Sequence, residues 1–339
     1  MLRTLFLLAA TASLLFSATA PHAQTTAPAA ASAPSYTADL KDYEYPFPVQ
    51  TFTIPTQSQN VTMAYMYLPA RDGKPTITLL HGKNFNGAYW KKTADFLHAQ
   101  GYGVLMPDQI GFGKSSKPRN YQYSFAELAS NTHLLLKSLG LQKTILVGHS
   151  MGGMLATRYA LLFPRETEKL ILVNPIGLEN YLLYQTYPNI DTSYASELTQ
   201  TPESVIDYQK KFYYDGQWKP AYADLAKPLI GWVNGPDWNE LAYISALTTN
   251  MILTQPVVEE MSFLTMPTYL ILGTRDRTAP GKANQRIMSY ELGRYDRLGA
   301  TTKARNRNIQ VTSLKGLGHL PQVEDFPLFS KSLDNALKF

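Results

Sequence analysis

Short apolar runs punctuate the chain at intervals filled by helical patterns. Val49–Ile54 and Val61–Leu68 predict two strands, the second alternating Met63, Tyr65 and Tyr67 with Thr62, Ala64 and Met66. From Thr76 onward the rhythm is strand, helix, strand. Thr76–Leu80 predicts a buried strand ending in His81-Gly82, Tyr89–Ala99 a helix stopped at Gly101, and Gly103–Met106 the next strand, ending at Pro107-Asp108. Ser124 and Glu127 frame a capping box for a helix that runs to Leu139 and stops at Gly140. Ile145–Val147, Leu170–Val173, Thr268–Leu272 and Ile309–Leu314 predict further strands. A helix over Met151–Phe163 is closed by Pro164, and a last helix starts near Leu328. Such alternation builds a mostly parallel sheet with helices on both faces, and the opening pair of strands gives it an antiparallel start. The fold class is α/β.

Over residues 176–264 the rhythm breaks. Three of the four tryptophans (Trp218, Trp232, Trp238) stand there, among a dense set of tyrosines. A segment of that length predicts an inserted, mostly helical lid, leaving residues 34–175 and 265–339 as the core. At the other end, Met1-Leu2-Arg3 precedes an apolar run from Leu5 to Phe16 and small residues up to Ala23. This predicts an export signal over residues 1–23 and an Ala/Thr/Ser/Pro tether over residues 24–33. The run is shorter than the roughly 20 apolar residues of a membrane span. The expectation is an exported protein, periplasmic or secreted, with no span in its mature form.

Composition narrows the chemistry. The chain has 339 residues and no cysteine, which excludes disulfides, thiolate nucleophiles, Cys-zinc sites and iron–sulfur clusters. Lys and Arg exceed Asp and Glu by only 31 to 26, and the basic residues are separate from the aromatic ones, so nucleic acid is not an expected partner. No H-E-x-x-H, P-loop or convincing dinucleotide fingerprint occurs. No metal or cofactor is expected.

One motif carries chemistry. Gly148-His149-Ser150-Met151-Gly152 fits G-x-S-x-G, directly after a predicted strand and at the start of a predicted helix. A serine on that turn is exposed at the carboxyl edge of the sheet, and small neighbours let the backbones approach. Serine needs a base. Of the six histidines, His22 lies in the export signal, His98 and His133 fall on helix patterns, His149 is inside the turn and His81 follows a strand. That leaves His319, in a glycine-flanked loop after the last strand. Asp276, just past a buried strand, is the candidate acid, and Glu179 is the alternative. The backbone N–H of Met151 supplies one oxyanion donor and the turn His81–Asn84 the other, through Lys83 or Asn84. Asn84, Phe85 and His149 are candidate substrate contacts.

These motifs, with Leu79-Leu-His-Gly82, Pro107-Asp-Gln-Ile-Gly-Phe-Gly-Lys-Ser115, Gly273-Thr-Arg-Asp276 and Gly316-Leu-Gly-His319, resemble the α/β-hydrolase fold superfamily. More narrowly, His81–Trp90 and Val173–Glu179 resemble a group of exported bacterial serine hydrolases. The resemblance implies an eight-stranded-type sheet with an inserted helical cap, and structural roles for Asp108, Gly111, Gly113 and Ser115. Epoxide hydrolases and haloalkane dehalogenases of the family carry aspartate where this chain has Ser150, so their chemistry is not expected. The segment between Asp276 and His319 is long and rich in Arg and Lys, and is read as an extra helix with a solvated face.

The expected function is therefore a serine hydrolase of the carboxylesterase kind, cleaving a carboxylic ester, or a lactone or amide, through an acyl-enzyme. The aromatic lid points to a small-molecule substrate with an apolar or aromatic part. A carbon–carbon bond hydrolase or a cofactor-free perhydrolase would use the same triad. A non-catalytic binding protein of this fold is the remaining alternative, although such proteins have usually lost a triad member.

Overall fold

A computed structural model describes residues 33–339, so the predicted export signal and nearly all of the tether lie outside the described residues. Eight strands form one sheet: β1 (Val49–Thr56), β2 (Gln59–Leu68), β3 (Thr76–Leu80), β4 (Gly103–Pro107), β5 (Thr144–His149), β6 (Thr167–Val173), β7 (Thr268–Gly273) and β8 (Ile309–Leu314). Their order is β1-β2-β4-β3-β5-β6-β7-β8. β2 runs antiparallel to both β1 and β4, and every other pairing is parallel. The antiparallel start and parallel body match the expectation from the apolar pattern.

The central strands are apolar at nearly every position because each face of the sheet has its own core. Leu146, Leu170, Leu172, Leu270 and Leu272 point to the side covered by α2 (Phe125–Ser138), α3 (Met151–Leu162) and α8 (Tyr295–Arg305). Their neighbours Ile145, Val147, Ile171, Val173 and Ile271 point to the side covered by α1 (Lys91–Ala99) and α10 (Phe326–Lys338). Each such side chain gains about 1.5–3 kcal/mol by leaving water. α2 starts where its sequence signal sits, the Ser124 hydroxyl accepting the Glu127 N–H at 3.0 Å.

Between β6 and β7 the chain forms four helices that periodicity did not separate: α4 (Ile190–Leu198), α5 (Pro202–Phe212), α6 (Pro220–Val233) and α7 (Trp238–Thr254). α5 has a reciprocal cap between Thr201 and Ser204 and a proline in its first turn. A short α9 (Pro321–Glu324) precedes α10. Among the described residues no helix is long and apolar enough to cross a membrane.

Asp108 organises the loop at the carboxyl end of β4. Its Oδ1 accepts the Gly87 N–H at 2.6 Å, and its Oδ2 accepts the Lys114 N–H at 2.7 Å and the Tyr45 hydroxyl at 2.6 Å. Gly113, at φ +51°, lies so close that a Cβ there would stand 2.0 Å from Oδ2. The structural role implied for these residues is what the geometry displays. Asp108→Asn would turn an amide N–H₂ toward buried donors. It should lower stability by about 2–4 kcal/mol, read as a lower urea midpoint at an unchanged m value.

Candidate active site

The three candidate residues of the triad all follow carboxyl ends of parallel strands: Ser150 after β5, Asp276 after β7 and His319 after β8. Ser150 has φ +54° and ψ −122°, a conformation disfavoured for an L-residue. The glycines around it make this turn possible. A Cβ on Gly148 would lie 2.2 Å from the Gly152 carbonyl oxygen, one on Gly152 2.2 Å from the Leu80 oxygen, and one on Gly153 2.3 Å from the Pro175 Cβ. The turn is held by the Ser150 N–H on the Val173 oxygen at 3.2 Å and by the Ser150 oxygen accepting from Gly153 at 2.9 Å. Met151 then opens α3 with its N–H among the donors that a helix leaves free at its first turn.

Asp276 and His319 are both fully buried and in contact. The His319 Nδ1–H donates to Asp276 Oδ2 at 2.7 Å. The Asn174 side-chain amide donates to the same oxygen at 2.8 Å, and the Thr278 N–H donates to Oδ1 at 2.8 Å. With Nδ1 carrying the proton, Nε2 presents a lone pair, and among the described residues it has no hydrogen-bond partner. No hydrogen bond joins Ser150 to His319. Glu179, the alternative acid, is elsewhere: its Oε2 accepts the Gly293 N–H at 3.0 Å, and burial pushes its carboxyl above the usual range.

His149, a candidate substrate contact, is fully buried, and both of its ring nitrogens are engaged in the scaffold. The Gly82 N–H donates to the Tyr89 hydroxyl at 3.3 Å, that hydroxyl to His149 Nδ1 at 3.0 Å, and His149 Nε2–H to the His319 carbonyl at 2.8 Å. Burial holds the His149 ring well below the usual histidine range, so it stays neutral in this relay. The relay connects the turn at Gly82 with the loop of His319. Phe85 is also buried and stacks on Tyr89, with ring centroids 4.9 Å apart.

Ser150 opens on a cavity of about 410 Å³, within the size range of small-molecule sites. Lys83 and Asn84 line it, together with Ile176, Val205 and Ile252 and the rings of Tyr208 and Tyr213. The Lys83 ammonium, for which the sequence suggested no role, donates to Ser245 Oγ on α7 at 2.6 Å and lies 3.6 Å from Glu197 on α4. Phe85, Trp232 and Trp238 line a separate small cavity of about 40 Å³. Tyr214 and Tyr222 stack at 3.6 Å in a cluster of their own. The aromatic residues of segment 176–264 therefore only partly face Ser150.

Several residues at the site were given no role by the motif reading. Asn174, at φ +39°, follows β6, and its Oδ1 accepts the Gly273 N–H at 3.0 Å. Tyr213 stacks on His319 at 4.5 Å, accepts the His319 N–H on its carbonyl at 2.9 Å, and takes the Asn84 side-chain amide on its hydroxyl at 2.9 Å. Glu324 accepts the Gly318 N–H at 2.8 Å and pairs with Arg275 at 2.8 Å, joining the loops on either side of the dyad. The second half of the basic segment forms α8, and Lys303, Arg305 and, just past the helix, Arg307 are exposed, as the sequence suggested.

Two stability predictions follow from this packing. Asn174→Ala removes the partner of a buried N–H and of a buried carboxylate oxygen, and should cost about 1–3 kcal/mol in urea unfolding. Burial raises the Glu324 carboxyl from 4.5 to about 6, against the pull of Arg275. Below pH 4.5 it is protonated in both states. Between 4.5 and 6 the unfolded chain ionises first, so this contribution falls as pH rises and levels off above 6. Relative to Glu324→Gln, the wild type should lose about 2 kcal/mol of stability between pH 4 and 7, measured as the difference between two urea titration series.

Comparison with known proteins agrees with this architecture. A family model for the α/β hydrolase fold matches residues 75–290. A crystal structure from Pseudomonas aeruginosa PAO1, named a "probable hydrolytic enzyme", superposes with a TM-score of 0.87 at 42% identity, covering 90% of this chain and 99% of that one. Lipase 3 of Moraxella sp. is 27% identical over 262 residues, which are 74% of this chain and 73% of the lipase. An esterase from Exiguobacterium antarcticum, at 18% identity and a TM-score of 0.63, shares the fold over 86% of this chain and all of its own. The chain belongs to the α/β hydrolase fold family.

Proposed function

We propose that the protein is a serine hydrolase that cleaves a carboxylic ester through an acyl-enzyme. The observation that carries this reading is the buried Asp276–His319 pair, with a free Nε2, on the sheet edge that also presents the strained Ser150. His319 Nε2 takes the Ser150 proton as Oγ attacks the ester carbonyl, and Asp276 fixes the tautomer and stabilises the imidazolium. The Met151 and Lys83 N–H groups hold the oxyanion. The imidazolium then gives its proton to the leaving alcohol, and water repeats the sequence on the acyl-enzyme. A hydrogen bond between Ser150 and His319 need not stand before substrate arrives, since such contacts often tighten only in the complex.

The apolar wall of the cavity, Ile176, Val205 and Ile252 with the rings of Tyr208 and Tyr213, suits an apolar or aromatic part of the substrate. The likeness to proteins named lipase supports ester hydrolysis. The basic start and apolar run of residues 1–23 support export to the periplasm or the medium.

The test is a panel of chromogenic esters of varied chain length, with fluorophosphonate labelling alongside. Ser150→Ala and His319→Ala should each lower kcat by roughly 10⁴-fold or more, and the double variant should be little worse than either. Esterase activity retained in Ser150→Ala would sink the mechanism, and losses that multiply would show that the two residues do not act as a unit.

A further inference from the structure

The cavity at Ser150 has a second wall that the ester chemistry leaves unexplained. Gln209, in the last turn of α5, lines it and is fully buried, yet among the described residues neither its Nε2 nor its Oε1 has a hydrogen-bond partner. Thr278, two positions after Asp276, lines the same cavity with a buried Oγ1 that is also unpartnered. Buried polar groups are almost always paired, and an orphaned one calls for an explanation. Here a donor and an acceptor on one neutral side chain line the same cavity as a candidate nucleophile.

We propose that Gln209 is a specificity-determining residue that reads a neutral secondary amide carried by the substrate. This rests on the ester reading of Ser150, whose substrate it narrows to an ester bearing an amide group. A secondary amide offers one N–H and one C=O, which match Oε1 and Nε2 together. A carboxylate would pair with Nε2 and leave Oε1 facing an acceptor; an ammonium would do the reverse. The Thr278 hydroxyl, able to donate or accept, adds a second unpartnered polar group to a lining that also includes Ile176 and Ile252. A site built to hydrogen-bond such a group discriminates against the analogue that lacks it, because its own polar atoms are then left unpaired.

The experiment uses methyl N-acetylglycinate and methyl pentanoate, which have equal chain lengths and differ by the amide. Turnover is followed by proton release in the full-length protein and in Gln209→Leu, each rate being divided by its spontaneous hydrolysis. The ratio of kcat/KM for the amide ester over the alkyl ester should exceed ten in the wild type and fall about tenfold or more in Gln209→Leu. Gln209→Met serves the same comparison if the leucine variant does not fold. In parallel, both esters are titrated into Ser150→Ala, with and without Gln209→Leu, by ligand-observed NMR. Tighter binding of the amide ester, lost with Gln209, supports the proposal. If that preference is present while the wild type hydrolyses neither ester and takes no fluorophosphonate, the serine esterase reading fails and the amide site stands. If turnover proceeds and neither the kinetic ratio nor the binding preference depends on Gln209, the amide site is overturned and the residue holds only water.

Discussion

The site depends on keeping one charge out of water. Asp276 is fully buried, and an isolated carboxylate there would cost far more than the fold could bear. Three donors satisfy it, and each comes from a different place: His319 after β8, Asn174 after β6 and the backbone of Thr278 in the loop after β7. Asn174 is itself fixed by the first N–H that β7 leaves unpaired at its end, that of Gly273. Satisfying the charge therefore locks three neighbouring strand ends into one arrangement. The orientation of the imidazole is a by-product of that electrostatic requirement.

The nucleophile is positioned by a steric requirement. No side chain at 148, 152 or 153 could be accommodated without moving the backbone of β3, the first turn of α3 or Pro175. That crowding holds Ser150 in its strained conformation, which an isolated turn would relax. The relay from Gly82 through Tyr89 and His149 then joins this sterically held side of the site to the loop that bears His319. Two mechanisms of positioning, one electrostatic and one steric, meet through a neutral histidine.

Much of this was readable from residue order. The sheet was legible because both of its faces are buried, so its strands appear as uninterrupted apolar runs bounded by glycine or proline. Ser150 and His319 were legible because their glycine neighbours leave a local mark. The roles of Asn174 and Glu324 were not, since their partners lie 102 and 49 positions away; Val173–Glu179 carried a resemblance but no sign of what Asn174 bonds, and nothing near Glu324 distinguishes it from an ordinary helix residue. The four helices between β6 and β7 escaped separation for a related reason. α4 buries no residue, α5 buries only Val205 and Gln209, and α6 mixes tyrosine, proline and glycine with its apolar residues, so a regular apolar stripe is missing from three of the four, although Thr201-Pro202 announces the start of α5. Aromatic content alone did not distinguish the rings that line the cavity, Tyr208 and Tyr213, from tyrosines that stack on one another, Tyr214 and Tyr222.

The way α5 ends has a mechanical meaning. Phe212 accepts the Arg277 N–H at 3.4 Å, and Tyr213 accepts the His319 N–H at 2.9 Å, so the helix terminus is stitched by its own backbone to both loops of the dyad. A Cβ on Gly318 would stand 2.1 Å from the Tyr213 oxygen, which leaves that seam no slack. Lys83 adds a second tie, to Ser245 on α7 and towards Glu197 on α4. The inserted helices are thus built into the site from two sides: one seam sets where the base stands, and the other starts from the turn expected to hold the oxyanion. A change in their packing would therefore be felt as a change in the alignment of the reacting groups.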